Sequence, residues 1–167
     1  EIKTVTCARD SRHSSPSLQR AFIDSLLNAG IHVCDLGIAP SELVYFSSFD
    51  STIDAAFMIT ASHNPRDYNG LKSMRHGGNI FKEGELKPNC DTPIINAQAK
   101  GKLLKIDFTQ QYLRRVKEIT RGIQLPKLKI LANACHGTAF PLAQALFQHF
   151  ELEVDWIQSE ANGNFPN

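Results

Sequence analysis

Apolar positions along the chain switch period again and again, from short β-branched runs to stripes with helical spacing. Ile2 to Ala8 (IKTVTCA) reads as a strand, since β-branched residues favour a pleated, half-buried surface. Ser14-Ser15-Pro16 then offers a serine N-cap with proline in the first turn. Leu18, Phe22 and Leu26, flanked by Ala21 and Ile23, form the stripe of the helix that follows, and Gly30 is placed to end it. Ile31 to Leu36 predicts a second strand. Ser41 predicts the cap of a short helix carrying Leu43, Phe46 and Phe49. Asp54 to Thr60 (DAAFMIT) is almost wholly apolar, as a strand covered on both faces should be.

This alternation is the βαβ rhythm of a mainly parallel sheet sandwiched by helices, an α/β fold. Leu71 to Met74 predicts an added strand, and Thr92 to Ala99 a helix. Gly101 to Asp107 reads as a connection. A second cycle follows: helix Thr109 to Thr120, strand Leu128 to Ala132, helix Gly137 to Phe150 and strand Leu152 to Ile157. The expected division is a first domain over residues 1–105 and the truncated start of a similar one over 106–167. Two strands and two helices close no core alone.

Composition narrows the classes of partner. The 167 residues carry 18 Lys and Arg against 17 Asp and Glu, a net charge of +1. That balance gives no basic footprint for nucleic acid, and no apolar run approaches the roughly 20 residues of a membrane span. The four cysteines are irregularly spaced without a CxxC pair, so neither a zinc site nor a disulfide framework is expected. Cys7, Cys34 and Cys135 lie in or beside apolar runs and read as small core residues; a reducing cytoplasm is the natural setting.

In such sheets a ligand lies beyond the carboxyl ends of the strands, where Thr60 to Lys72 (TASHNPRDYNGLK) falls. Pro65 restricts Asn64, and Gly70 permits a positive φ near Asn69. A hydroxyl, an imidazole, an amide, a guanidinium and an ammonium group come within a few residues. That set suits an anion, phosphate first. A hydrolase nucleophile is disfavoured, because the GxSxG elbow is missing and His63 is the immediate neighbour of Ser62. A strand-to-strand turn with a solvated serine remains the plainer reading of these residues.

The segment ITASHNPRDYNGLK resembles the active-site serine loop of the α-D-phosphohexomutases. Ala8-Arg9-Asp10-Ser11-Arg12 is similar to that family's GRDxR segment, Asp35-Leu36-Gly37 to its DxG segment, and Gly163 to Asn167 (GNFPN) to its DGNFPN segment. The DYNG spelling resembles the phosphomannomutase branch and its dual phosphomannomutase/phosphoglucomutase members. The resemblance implies that Ser62 carries phosphate, exchanges it with a hexose phosphate through a hexose 1,6-bisphosphate, and lends a phosphate oxygen to Mg²⁺. It implies that His63 and Lys72 hold phosphate or sugar oxygens, that Lys72 helps to deprotonate the attacking hydroxyl, and that Arg12 is a further active-site cation. The implied partners are a phosphosugar and the remaining domains of the same enzyme, with no nucleic acid and no membrane.

Ala8 departs from the family pattern, where glycine is usual. At Asn133 to Gly137 (NACHG), His136 takes a position usually held by asparagine, with no second metal ligand nearby in sequence. The family's Asp-rich metal loop, sugar-selecting loop and C-terminal phosphate loop are not found in the chain, so little activity is expected of it alone. A phosphoglucomutase, a phosphoglucosamine mutase and a non-catalytic phosphosugar-binding module are the alternatives.

Overall fold

The computed structural model describes residues 2–82, 84–86 and 97–166. Strands β1 (Thr4–Arg9), β2 (His32–Ile38), β3 (Ala55–Ile59), β4 (Leu71–Arg75) and β5 (Leu103–Lys105) form one sheet in the order β4-β3-β1-β2-β5. β1 pairs in parallel with β2 and β3, and β2 with β5. β4 returns antiparallel to β3, with Lys72 opposite Met58. The stretch expected to be only a connection, Gly101 to Asp107, thus contains an edge strand. Its three residues are all exposed and too short to show a period. The helix expected over Thr92 to Ala99 lies largely outside the described residues.

Strand alternation sorts the core into two faces. Val5 and Cys7 of β1 join Val33, Ala55, Phe57 and Ile59 under helix α1 (Ser15–Asn28), with Phe22 meeting Phe57 edge to face at 5.0 Å. Ala8, Ala56 and Met58 face the other way, toward Leu43 and Val44 of helix α2 (Ser41–Ser47). All five residues of β3 are buried, as its unbroken apolar run predicts. Burial disfavours a charged sulfur, so the Cys7 thiol is pushed up to about 12 and Cys34 is also raised; both are inert packing groups.

Three local expectations are corrected. Leu18 is 43% exposed, and the residues that α1 buries are Ser15, Gln19 and Ile23. Phe22, Ile23 and Leu26 pack against the core as the stripe predicts, and Ser15 and Gln19 join that face through hydrogen bonds to Asp10 and Asp35. Ser14 precedes α1 in helical conformation without a side-chain capping bond. Phe49 lies beyond α2 and is 62% exposed. Gly30 does close the end of α1 as expected, with φ at +81°.

Helix α3 (Thr109–Ile119), strand β6 (Lys129–Asn133), helix α4 (Phe140–His149) and strand β7 (Glu153–Ile157) follow. β6 and β7 pair in parallel as a separate sheet, with Trp156 held between Phe140 and Phe147. This part has little core of its own. Phe108 and Leu142 are buried against Ala39 and Leu43 of the first sheet's cluster, and Thr138 Oγ1 donates to the Ala39 carbonyl at 3.2 Å.

Candidate active site

β3 runs out into loop 60–70, whose base is closed where Thr60 N–H donates to the Gly70 carbonyl at 2.9 Å. Ser62 sits at the crest with φ at +57°, a left-handed conformation uncommon for a residue with a side chain. The positive φ therefore falls on the serine itself rather than near Asn69. Ser62 N–H donates to Thr60 Oγ1 at 3.0 Å, and both the N–H and Nδ2 of Asn64 reach the Ala61 carbonyl. These short bonds hold the turn from within.

The hydroxyl so presented has two polar neighbours. Ser62 Oγ lies 3.2 Å from His63 Nδ1, and Lys72 Nζ donates to it at 3.3 Å. Adjacency in sequence thus does not keep the imidazole from the hydroxyl. Lys72 arrives because the antiparallel register sets it beside Met58, at the strand end from which the loop leaves. An oxygen between an imidazole and an ammonium group is a suitable seat for a phosphoryl group, whose charge needs fixed positive partners.

Arg12 is 3% exposed, and its guanidinium meets Asp10 and four main-chain carbonyls. Asp10 Oδ1 also accepts from Arg12 N–H and from Ser15 Oγ. Asn69 Nδ2 then bonds Ser14 and Ser15 Oγ, both at 2.9 Å, and so ties the far end of the loop to the start of α1. Asp10, Ser15 and Asn69 were given no site role from the sequence, although Asp10 stands in the GRDxR-like segment. Their signal is a run of small polar residues directly after a buried strand, facing a second polar loop.

A cavity of about 530 Å³ opens over Ser62 and His63, with Arg12 in its lining, and is bounded also by Cys135, Gly137, Asn164 and Phe165. Cys135 is exposed, with φ at +49°, in the turn after β6; it is a wall residue and not a core one. Gly163 is buried against Ser11, close enough that a Cβ would strike the Ser11 carbonyl. His13 Nε2 meets Asn164 Oδ1 at 2.9 Å. His136 Nδ1 faces the Glu160 carbonyl at 3.0 Å, which gives the ring a structural engagement.

For a divalent cation Ser62 offers one oxygen. Among the described residues no three His, Cys, Asp or Glu side chains gather as a metal site. Mg²⁺ requires a near-octahedral set of oxygens, so these residues do not build its cage by themselves. Nor is any described helix long and apolar enough to cross a membrane.

The α/β sandwich thus lifts a serine hydroxyl between a histidine and a lysine at the carboxyl end of its sheet, where such folds bind ligands. The model of the phosphoglucomutase/phosphomannomutase family, alpha/beta/alpha domain I, matches residues 1–87, and the chain belongs to that family. It is 30% identical to the phosphomannomutase of Vibrio cholerae serotype O1, aligned over 99% of this chain and 38% of that one. It is 31% identical to the phosphomannomutase/phosphoglucomutase of Pseudomonas syringae pv. tomato, over 98% of this chain and 35% of that one. The chain therefore spans little more than a third of the length of these relatives. A phosphoglucomutase/phosphomannomutase family structure from Burkholderia thailandensis superposes with a TM-score of 0.75 at 29% identity, covering 99% of this chain and 38% of the other. The structure of a phosphomannomutase-like protein from Thermus thermophilus reaches 0.81 at 21% identity, over 99% and 39%, and speaks for the fold alone.

Proposed function

We propose that this chain is the serine-bearing part of a phosphomannomutase, which interconverts mannose 6-phosphate and mannose 1-phosphate. The observation that carries the reading is Ser62 Oγ, left-handed at the crest of its loop, within 3.2 Å of His63 Nδ1 and 3.3 Å of Lys72 Nζ. In this reading Ser62 holds a phosphoryl group. The free hydroxyl of a hexose phosphate attacks phosphorus, the P–Oγ bond breaks, and the hydroxyl proton ends on Ser62 Oγ. The product is a hexose 1,6-bisphosphate. Once it has turned round, Oγ attacks its other phosphate, the P–O bond to the sugar breaks, the Oγ proton passes to the freed sugar oxygen, and the isomerised sugar leaves. In this reading His63 and Lys72 hold the transferring oxygens, and Lys72 relays the proton.

Residues 1–105 form the first domain in this proposal, and 106–167 begin a second. Mg²⁺ is the proposed cofactor; when bound it would supply positive charge near the transferring group, and Ser62 is the one described residue that would help to hold it. The setting is cytoplasmic. Residues 1–167 alone are expected to turn over little substrate, and robust activity from them would refute that expectation.

Incubating the full natural chain with a hexose 1,6-bisphosphate should add one phosphoryl mass to the peptide containing Ser62. Ser62→Ala should abolish both that shift and mutase turnover, with the melting curve preserved. A Ser62→Ala protein that kept most of its rate would sink the phosphoserine mechanism. Comparing rates on mannose, glucose and glucosamine 1-phosphates tests the choice of sugar.

A further inference from the structure

We propose that Arg12 is a positioning residue that fixes the backbone of the serine loop, and not a cation that contacts phosphate. This rests on reading Ser62 as the phosphate carrier. Guanidinium has five N–H donors in a rigid fork, and here each has a protein acceptor. Nε donates to Asp10 Oδ2 at 3.0 Å. Nη1 donates to the carbonyls of Pro65 at 2.6 Å and Tyr68 at 3.1 Å. Nη2 donates to those of Ser62 at 3.0 Å and Asn64 at 2.8 Å. No donor remains for a ligand. The Phe165 ring, 5.3 Å from the guanidinium carbon, stands against the group as a cation–π partner.

The consequence concerns the direction in which Oγ points. Ser62 is held in a left-handed conformation that costs free energy unless its surroundings enforce it. One of the four carbonyls that Arg12 gathers is that of Ser62 itself, and the other three belong to the turn that follows. The guanidinium thus works as a template over which the turn is folded. A lysine keeps the charge but presents three donors from a single nitrogen, which cannot span carbonyls spread from Ser62 to Tyr68. A displacement near 1 Å at the reacting atom costs on the order of 10²-fold in rate.

The test compares Arg12→Lys and Arg12→Gln in the full natural chain, by kcat and KM for hexose phosphate and by amide hydrogen exchange over the loop. Both variants should lose on the order of 10²-fold in kcat with KM within roughly threefold of wild type. Amides of residues 60–70 should exchange faster in both. If Arg12→Lys kept near-wild-type kcat while Arg12→Gln raised KM, Arg12 would be a phosphate contact and the proposal would be overturned. Unchanged loop exchange in both variants would overturn it whatever the activity. Should the Arg12 variants not fold, Asp10→Asn keeps the guanidinium but removes the charge that orients it; a fall in kcat alone supports the proposal, and wild-type kcat overturns it. Absence of phosphate on wild-type Ser62 would defeat the proposed function, while the exchange measurement would still decide the role of Arg12.

Discussion

Replacing Lys72 by methionine removes an ammonium group and keeps most of the side chain's length. Lys72 Nζ lies 3.3 Å from Ser62 Oγ, so a phosphoryl group on that oxygen would sit about 4 Å from the lost charge. At that separation one charge pair is worth about 1 kcal/mol in bulk water and about 4 kcal/mol at the effective dielectric of a protein surface. Ser62 is exposed and Lys72 half-buried, so the lower part of the range applies, about 1–2 kcal/mol. That corresponds to a roughly 5- to 30-fold slower phosphorylation of Ser62. The assay mixes the full natural chain with a hexose 1,6-bisphosphate and follows the phosphorylated fraction by intact mass. Wild-type rates should fall as salt shortens the Debye length from about 10 Å at 0.1 M to about 3 Å at 1 M, and the Lys72→Met rate should fall less. Lys72→Arg keeps the charge but cannot give up a proton, so it should retain the salt dependence while running slower than wild type. If Lys72→Met stayed within twofold of wild type at low salt, the charge would have no part in the transfer.

Two further predictions concern stability. Phe57→Ala opens a cavity in the face beneath α1 and removes the edge contact with Phe22, which should cost about 3–5 kcal/mol in denaturant unfolding; a loss below about 1 kcal/mol would mean that the face repacks freely. Asp54 Oδ2 accepts the N–H groups of Thr4 at 2.9 Å and Lys3 at 2.8 Å, bonds that lower its pKa below 3.8 and pin the start of β1. The unfolded carboxyl takes up its proton first on acidification, so this stabilisation is complete above pH 3.8 and disappears as pH falls through the lowered native value. Asp54→Ala should therefore cost about 1 kcal/mol at neutral pH, the carboxylate being half-exposed, and progressively less below pH 3.8. A gap that stayed constant from pH 6 to pH 2 would contradict this.

The sheet was largely legible because its central strands are dense in apolar and β-branched residues, and burial on both faces leaves that pattern unmixed. β5 was not legible, since three exposed residues next to Gly101 carry no period. The serine loop was legible through its punctuation and its resemblance to a family segment, and the fold brings Ser62, His63 and Lys72 together. The place of Arg12 was not. Its partners in the loop lie 50 to 56 residues away along the chain, and they are main-chain carbonyls, which leave no mark in the identity of a residue. Cys135 misled for a related reason: an apolar neighbourhood in sequence does not reveal a left-handed turn that carries the side chain out to the surface.

The hydrogen bonds of the serine loop also have an order in time. Among the described residues, the side chains outside the loop that hydrogen-bond to it (Arg12, Ser14, Ser15 and Lys72) precede Met74, whereas Cys135, Gly137, Asn164 and Phe165 of the cavity come later. Chains fold from the N-terminus as they are made. The side chains that hold the loop are therefore made before the residues that complete its cavity, and the ring of Phe165 reaches Arg12 only after those.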